Sequence, residues 1–204
     1  MQTGAENRQE AKVNEDFLTD DEKRALLKFA RESIRHVLDK GRALPADAFA
    51  KEATENMKRK TGCFVTLSMK DTHGLRGCIG EIAATRPLYQ AVTALAVHSA
   101  FKDERFVELQ PYEFAKIMIE ISALTPGHPV DSWHDIEIGR HGMTVSKRGR
   151  MAVFLPQVAP EQGWTLEETL THLSLKAGLG RDDWREGAEF TVFEAIIFNE
   201  EAFE

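Results

Sequence analysis

The sequence predicts an α+β fold, with a mainly antiparallel or mixed sheet flanked by helices. Three observations predict it. Helix-period and strand-period segments both occur but do not alternate regularly, which disfavours a doubly wound parallel sheet. Two pairs of strand-like runs are separated by short turn-rich stretches, the pattern of β-hairpins. At 204 residues and 42% hydrophobic content, the chain is long enough to bury a sizeable core as one large domain.

The elements follow in chain order. Met1 to Asp16 is polar and lacks the apolar centre of a signal peptide. Residues 1–18 are expected to be a disordered leader and 19–204 the domain, with a division into a larger and a smaller part left open. A helix is predicted from Asp20 to Asp39, because Thr19 and Glu22 form a capping box and Leu26, Leu27, Ala30, Ile34, Val37 and Leu38 repeat at helical spacing. Gly41 ends it and Pro45 prevents its resumption. A short helix is placed around Ala48 to Lys58. The β-prone run Cys63 to Leu67, the turn residues Asp71 to Gly74 and the run Leu75 to Ile79 make a hairpin. Pro87 opens a second long helix, rich in Ala and Val, that runs to about Phe101. Ile117 to Leu124 alternates as a strand. Met143 to Val145 and Met151 to Leu155 flank Lys147-Arg148-Gly149-Arg150 as a second hairpin. Thr165 and Glu168 form another capping box, opening a helix that stops at Gly178, and Phe190 to Phe198 reads as one final strand.

Composition excludes several function classes. The formal net charge is −7, and no cationic cluster is present to neutralise a phosphate backbone, so nucleic acid is not an expected partner. Lys58-Arg59-Lys60 and the second hairpin's basic run read first as solvated turns, the latter with a secondary role on an anionic substrate left open. No apolar stretch approaches the roughly 18 residues of a membrane span. The cytoplasm is the default compartment, where Cys63 and Cys78 would stay reduced; a single disulfide between them is left open. None of the seven histidines has metal-ligand spacing with another His or Cys, and no phosphate loop is present, so no metal or cofactor is expected.

The segment that concentrates chemistry is Leu75-Arg76-Gly77-Cys78-Ile79-Gly80. As a strand it sets Leu75, Gly77 and Ile79 on one face and Arg76, Cys78 and Gly80 on the other. A guanidinium beside a thiol favours the thiolate, and glycines let a ligand or backbone come close. The competing reading makes Cys78 a small buried hydrophobe, Arg76 an ion-pair partner and the glycines bulges.

This segment resembles the signature of the AMMECR domain family. Other segments agree in order and spacing: Ser99 to Phe106, Glu120 to Thr125, His141-Gly142-Met143, Leu155 to Ala159, Glu161 to Trp164 and Lys176 to Leu179. The resemblance spans about residues 20 to 200 and implies a compact α+β domain without a defined reaction. Bacterial and archaeal members resemble protein A of the AmmeMemoRadiSam system. That implies two partner types: a Memo-type protein, related in fold to non-haem iron dioxygenases, and a radical SAM protein.

Further candidates flank the signature. Asp103 either accepts from Arg76 or backbone donors, or joins Arg105 in a structural ion pair at a helix end. His141 is either a loop-borne catalytic group or a histidine in a tight turn. Glu161, Gln162 and Trp164 either wall a pocket or supply helix entry and an aromatic anchor. The leading expectation is an enzyme or enzyme subunit acting on a small or peptide-like substrate. Cys78, Arg76 and His141 would be catalytic, with Gly77, Gly80, Asp103, Arg105, Glu161 and Trp164 around the substrate. Arg76, Cys78, Asp103, Arg105 and His141 are expected to converge on one cleft. The alternatives are a non-catalytic partner module and a small-ligand binding domain.

Overall fold

The computed structural model of the chain describes residues 17–203. The expected leader falls largely on residues 1–16, outside the described residues. Phe17 and Leu18, assigned to that leader from sequence, are instead core residues, 2% and 1% exposed.

The first helix, α1, is Asp20–Lys40. The Thr19 hydroxyl accepts from the Glu22 N–H, and the Glu22 carboxylate accepts from the Thr19 N–H at 2.8 Å. Gly41 closes the helix in the left-handed conformation, φ 68°, which glycine adopts without steric cost. Buried Glu22 also accepts from Thr54 and Asn56, tying α1 to the start of the short helix α2, Glu55–Lys58. The expected helix over 48–58 is therefore only this last turn. Thr54 caps it there, and residues 46–52 are turns.

Strands β1, Cys63–Met69, and β2, Leu75–Glu81, form the first hairpin. Helix α3 is Leu88–Phe101, and β3 is Ile117–Leu124. After a three-residue strand β4, His128–Val130, come β5, Gly142–Lys147, and β6, Arg150–Phe154. Arg148 and Gly149 turn this hairpin with φ of 52° and 74°, the positive pair that a tight hairpin turn needs. Helices α4, Val158–Gln162, and α5, Leu166–Lys176, precede β7, Glu189–Phe193, and β8, Ala195–Asn199.

The strands make two antiparallel sheets, ordered β2-β1-β3-β8 and β4-β7-β5-β6. Helices α1 and α3 cover one face of the first sheet. There Cys63, Val65 and Leu67 of β1 and Ile117, Ile119 and Ile121 of β3 are fully buried. Each such aliphatic side chain contributes roughly 1.5–3 kcal/mol. Helix α5 packs on β5 and β6 over a second core around Trp184, Leu170 and Val192.

The expected single strand from Phe190 to Phe198 is two. β7 belongs to the second sheet and β8 to the first. The switch occurs at Glu194, whose N–H donates to the Thr125 hydroxyl while its carbonyl accepts from the Thr125 N–H, both at 2.8 Å. The short β4 and α4 had no expectation from sequence. Pro129 in β4 suits an edge position, where a missing N–H leaves no ladder bond unmade.

β2 is an edge strand, and its outer side is capped rather than left open. The Cys78 N–H donates to Asp103 Oδ2 at 2.8 Å. The Cys78 carbonyl accepts from Arg105 Nη2 at 3.2 Å. On the inner side, between β1 and β2, the Ser99 hydroxyl donates to the Val65 carbonyl at 2.7 Å and accepts from the Ile79 N–H at 2.9 Å. α3 thus lies directly on the β2 backbone. A Cβ at Gly77 would stand 2.1 Å from the Ser99 carbonyl oxygen.

Gly77→Ala should cost about 3 kcal/mol or more, because the obstacle is backbone. Gly80→Ala should cost less, since its Cβ would meet the Phe64 ring at 2.0 Å and a ring can turn aside. Denaturant midpoints of the two variants check the order. Asp103 is held far below the usual carboxylate range, first by Arg105 and then by the backbone N–H groups of Cys78 and Arg105. A lowered folded-state pKa stabilises above the unfolded value of about 4 and is lost as pH falls below it. Asp103→Asn should therefore be about 2 kcal/mol less stable at neutral pH. Its deficit should shrink on acidification below about pH 4, as read by thermal melts across pH.

Candidate functional site

The first sheet has a helix-covered face and an opposite face, and alternation sends every second residue to the latter. Strand register aligns these residues in rows across the four strands. One row runs Cys78, Thr66, Glu120, Asn199; the next runs Gly80, Phe64, Ser122, Ile197. A cleft of about 250 Å³ lies over this face. Its polar floor is Thr66, Cys78, Glu120 and Ser122. Phe64, Leu124, Ala195 and Ile197 supply the apolar walls. Leu155 and Gln157, from the segment that leaves β6, close it from the side of the second sheet.

Cys78 is half-buried and free, and its Sγ accepts a hydrogen bond from Thr66 Oγ1 at 3.3 Å. Both its backbone polar groups are engaged by Asp103 and Arg105, so the position of the thiol is set from behind the strand. Cys63 is the contrast. It points into the core, fully buried, and desolvation pushes its thiol up to about 12.

Arg76 departs from the expected pattern. Leu67 pairs with Gly77 but Ser68 pairs with Leu75, so Arg76 is the extra residue of a β-bulge. A bulge breaks strict alternation and re-aims a side chain. Here it sends the guanidinium to Glu113, with Nε–Oε1 2.8 Å and Nη2–Oε2 3.0 Å. Arg76 is 8% exposed, and its Nη1 is buried without a hydrogen-bond partner. It is not among the residues lining the Cys78 cleft. The arginine that reaches the Cys78 residue is Arg105, through the carbonyl.

His141 also stands apart from the thiol. It is buried just before β5 of the second sheet. Its Nδ1 accepts from the Glu137 N–H at 3.0 Å, and its Nε2 lies 3.9 Å from Glu194 Oε1. Burial lowers its pKa, against the pull of Glu137. The ring braces the turn into β5 and does not line the cleft. Of the five groups expected to converge on one cleft, Cys78 lines it; Asp103 and Arg105 meet the Cys78 backbone at the outer edge of β2 without lining the cleft, and Arg76 and His141 are committed to other partners.

Gly77 and Gly80 act through space, one admitting α3 and the other the Phe64 ring. Glu161 is exposed on α4. Trp164 stacks on His172 with centroids 4.0 Å apart and planes at 8°, the aromatic anchor of the competing reading. The pocket-wall role expected of Glu161 and Trp164 falls instead to Leu155 and Gln157, a few residues earlier. The sequence expectation does not include Thr66, Glu120 and Ser122 among the site residues. Their signal was available: polar side chains at the outward positions of otherwise apolar strands.

Among the described residues, no group of three His, Cys, Asp or Glu side chains could hold a metal ion, and no helix is long and apolar enough to cross a membrane.

Comparison with known proteins places this architecture. The chain is 40% identical to protein MK0488 of Methanopyrus kandleri over 192 residues, covering 90% of this chain and 91% of that protein. Protein MJ0810 of Methanocaldococcus jannaschii is 37% identical, with 90% and 92% coverage. The crystal structure of uncharacterized protein PH0010 from Pyrococcus horikoshii superposes with a TM-score of 0.70 at 33% identity, covering 91% of this chain and 94% of that one. The AMMECR1 family model matches residues 27–198. The chain belongs to the AMMECR1 family.

Proposed function

We propose that the protein is an intracellular enzyme, or the catalytic subunit of one, that uses Cys78 as a nucleophile on a small or peptide-like substrate held in the cleft. The observation that carries this reading is the placement of Cys78: a free thiol opening onto a polar-floored cleft, with its backbone fixed on the far side of the strand. A nucleophile needs access to its substrate and a fixed line of approach. Cys63 has no such access. Asp103 and Arg105 serve as positioning residues. Arg76 and His141 support the scaffold, Arg76 through Glu113 and His141 through the turn into β5. Two unpaired cysteines suit a reducing compartment.

A different observation favours a second reading. On the loop between α3 and β3, Val107 and Tyr112 are 78% and 71% exposed. Exposed apolar side chains on one loop suit docking of another protein. In this reading the protein is a non-catalytic module for the Memo-type and radical SAM partners that the family resemblance implies.

Alkylation of both thiols, followed by mass spectrometry across pH, tests the first reading. Cys78 should react at least about a hundredfold faster than Cys63, whose burial suppresses both access and thiolate formation. Comparable rates, or faster modification of Cys63, would sink it. For the second reading, the double variant Val107→Asp, Tyr112→Lys should abolish co-purification with the two partners and leave Cys78 alkylation unchanged. Undiminished co-purification would remove that reading.

A further inference from the structure

Glu120 sits in the floor of the cleft, two strands from Cys78 in the same row. It is half-buried. Among the described residues no hydrogen bond or ion pair engages its carboxylate. Four other carboxylates on and around the sheets are matched. Glu81 is held by Arg86, Glu113 by Arg76, Glu194 by Arg140 and Glu200 by Arg31. A carboxylate drawn partly out of water without a partner forgoes solvation that a cation would restore.

The surroundings narrow the partner. Among the described residues no Lys or Arg lines the cleft and Glu120 is its one carboxylate, so an anionic ligand would find no cation there and would face the Glu120 charge. The Thr66 and Ser122 hydroxyls flank Glu120, one across the strand pair and one two residues along β3, and the Gln157 amide faces the same space. An ammonium carries three donors and needs oxygen acceptors arranged in this way. Phe64, Leu124, Leu155 and Ile197 leave room for an apolar group beside it. Two strand spacings set the Cys78 and Glu120 backbones about 10 Å apart. A ligand of amino-acid to dipeptide size bridges that span.

Building on the assignment of the cleft as the substrate site, we infer that its substrate is a primary amine with an apolar side group. The ammonium is received by Glu120, and the amine's remaining end is presented to Cys78.

Charged thiol reagents test this on the intact chain. Cys78 is treated with 2-aminoethyl, 2-sulfonatoethyl and methyl methanethiosulfonate. Each rate is divided by that of the same reagent with 2-mercaptoethanol, and modification is located by mass spectrometry. The corrected cationic rate should exceed the anionic one by about tenfold or more, as one partly screened nearby charge would produce. In Glu120→Gln the preference should largely vanish. An absent preference in the native protein would overturn the amine inference. So would a preference that survives in Glu120→Gln, since it would then arise from the protein's net charge of −7. In both cases rapid reaction with the neutral methyl reagent would leave the Cys78 assignment standing. Failure of the neutral reagent to modify Cys78 would instead remove the proposed function, and with it this inference.

Discussion

The C-terminal end of α3 rests on the bare backbone of β2, and the rest of the site is arranged around that contact. Gly77 permits it, because any Cβ there would collide with the Ser99 carbonyl. Once the helix is this close, Ser99 can reach between β1 and β2. The chain leaving the helix can then set the Asp103 carboxylate against the Cys78 N–H. An edge strand normally exposes a row of unpaired donors and acceptors, open to slippage or to pairing with another chain. Here Asp103 and Arg105, from the loop that follows α3, engage the Cys78 N–H and carbonyl of that row. The segment carrying the thiol therefore has little freedom to shift its register.

Charge is distributed to the same end. Asp103 and Arg105 neutralise one another at the back of the strand, and Arg76 and Glu113 do so beside the bulge. Pairs of this kind, partly removed from water, position backbone more than they add net stability, since desolvation offsets much of the attraction. Among the described residues, the lining of the cleft contains no such pair. Among the described lining residues Glu120 alone carries charge there, beside two hydroxyls and two strands from the thiol.

The second sheet completes the cleft without sharing the first sheet's core. The chain passes from β7 into β8 at Glu194, where the bonds to Thr125 hand the backbone from one ladder to the other. That crossing holds the second sheet near the outward face of the first. Leu155 and Gln157 close the cleft as a consequence, although both are remote in sequence from Cys78. His141 and the Arg140–Glu194 pair brace the same crossing from the second sheet's side.

Much of the fold was legible locally. The capping boxes at Thr19 and Thr165, the stop at Gly41, the two hairpins and the α+β class all follow from short-range chemistry, since caps, turns and periodicity act over a few residues. The importance of the Arg76 to Gly80 segment was legible for the same reason: a thiol between glycines stands out against an apolar strand. What the chain itself did not disclose depends on contacts between distant segments. The bulge that turns Arg76 toward Glu113 is a property of how β2 registers on β1. The division of Phe190 to Phe198 between two sheets depends on Thr125. The commitment of His141 to the turn into β5 rests on burial against Glu137 and Glu194. The row of Cys78, Thr66 and Glu120 exists only once three strands are aligned. Sequence alone determined which residue types face each side of a strand; tertiary structure decided which of them meet, because strand register and helix contact are set by packing across the whole core.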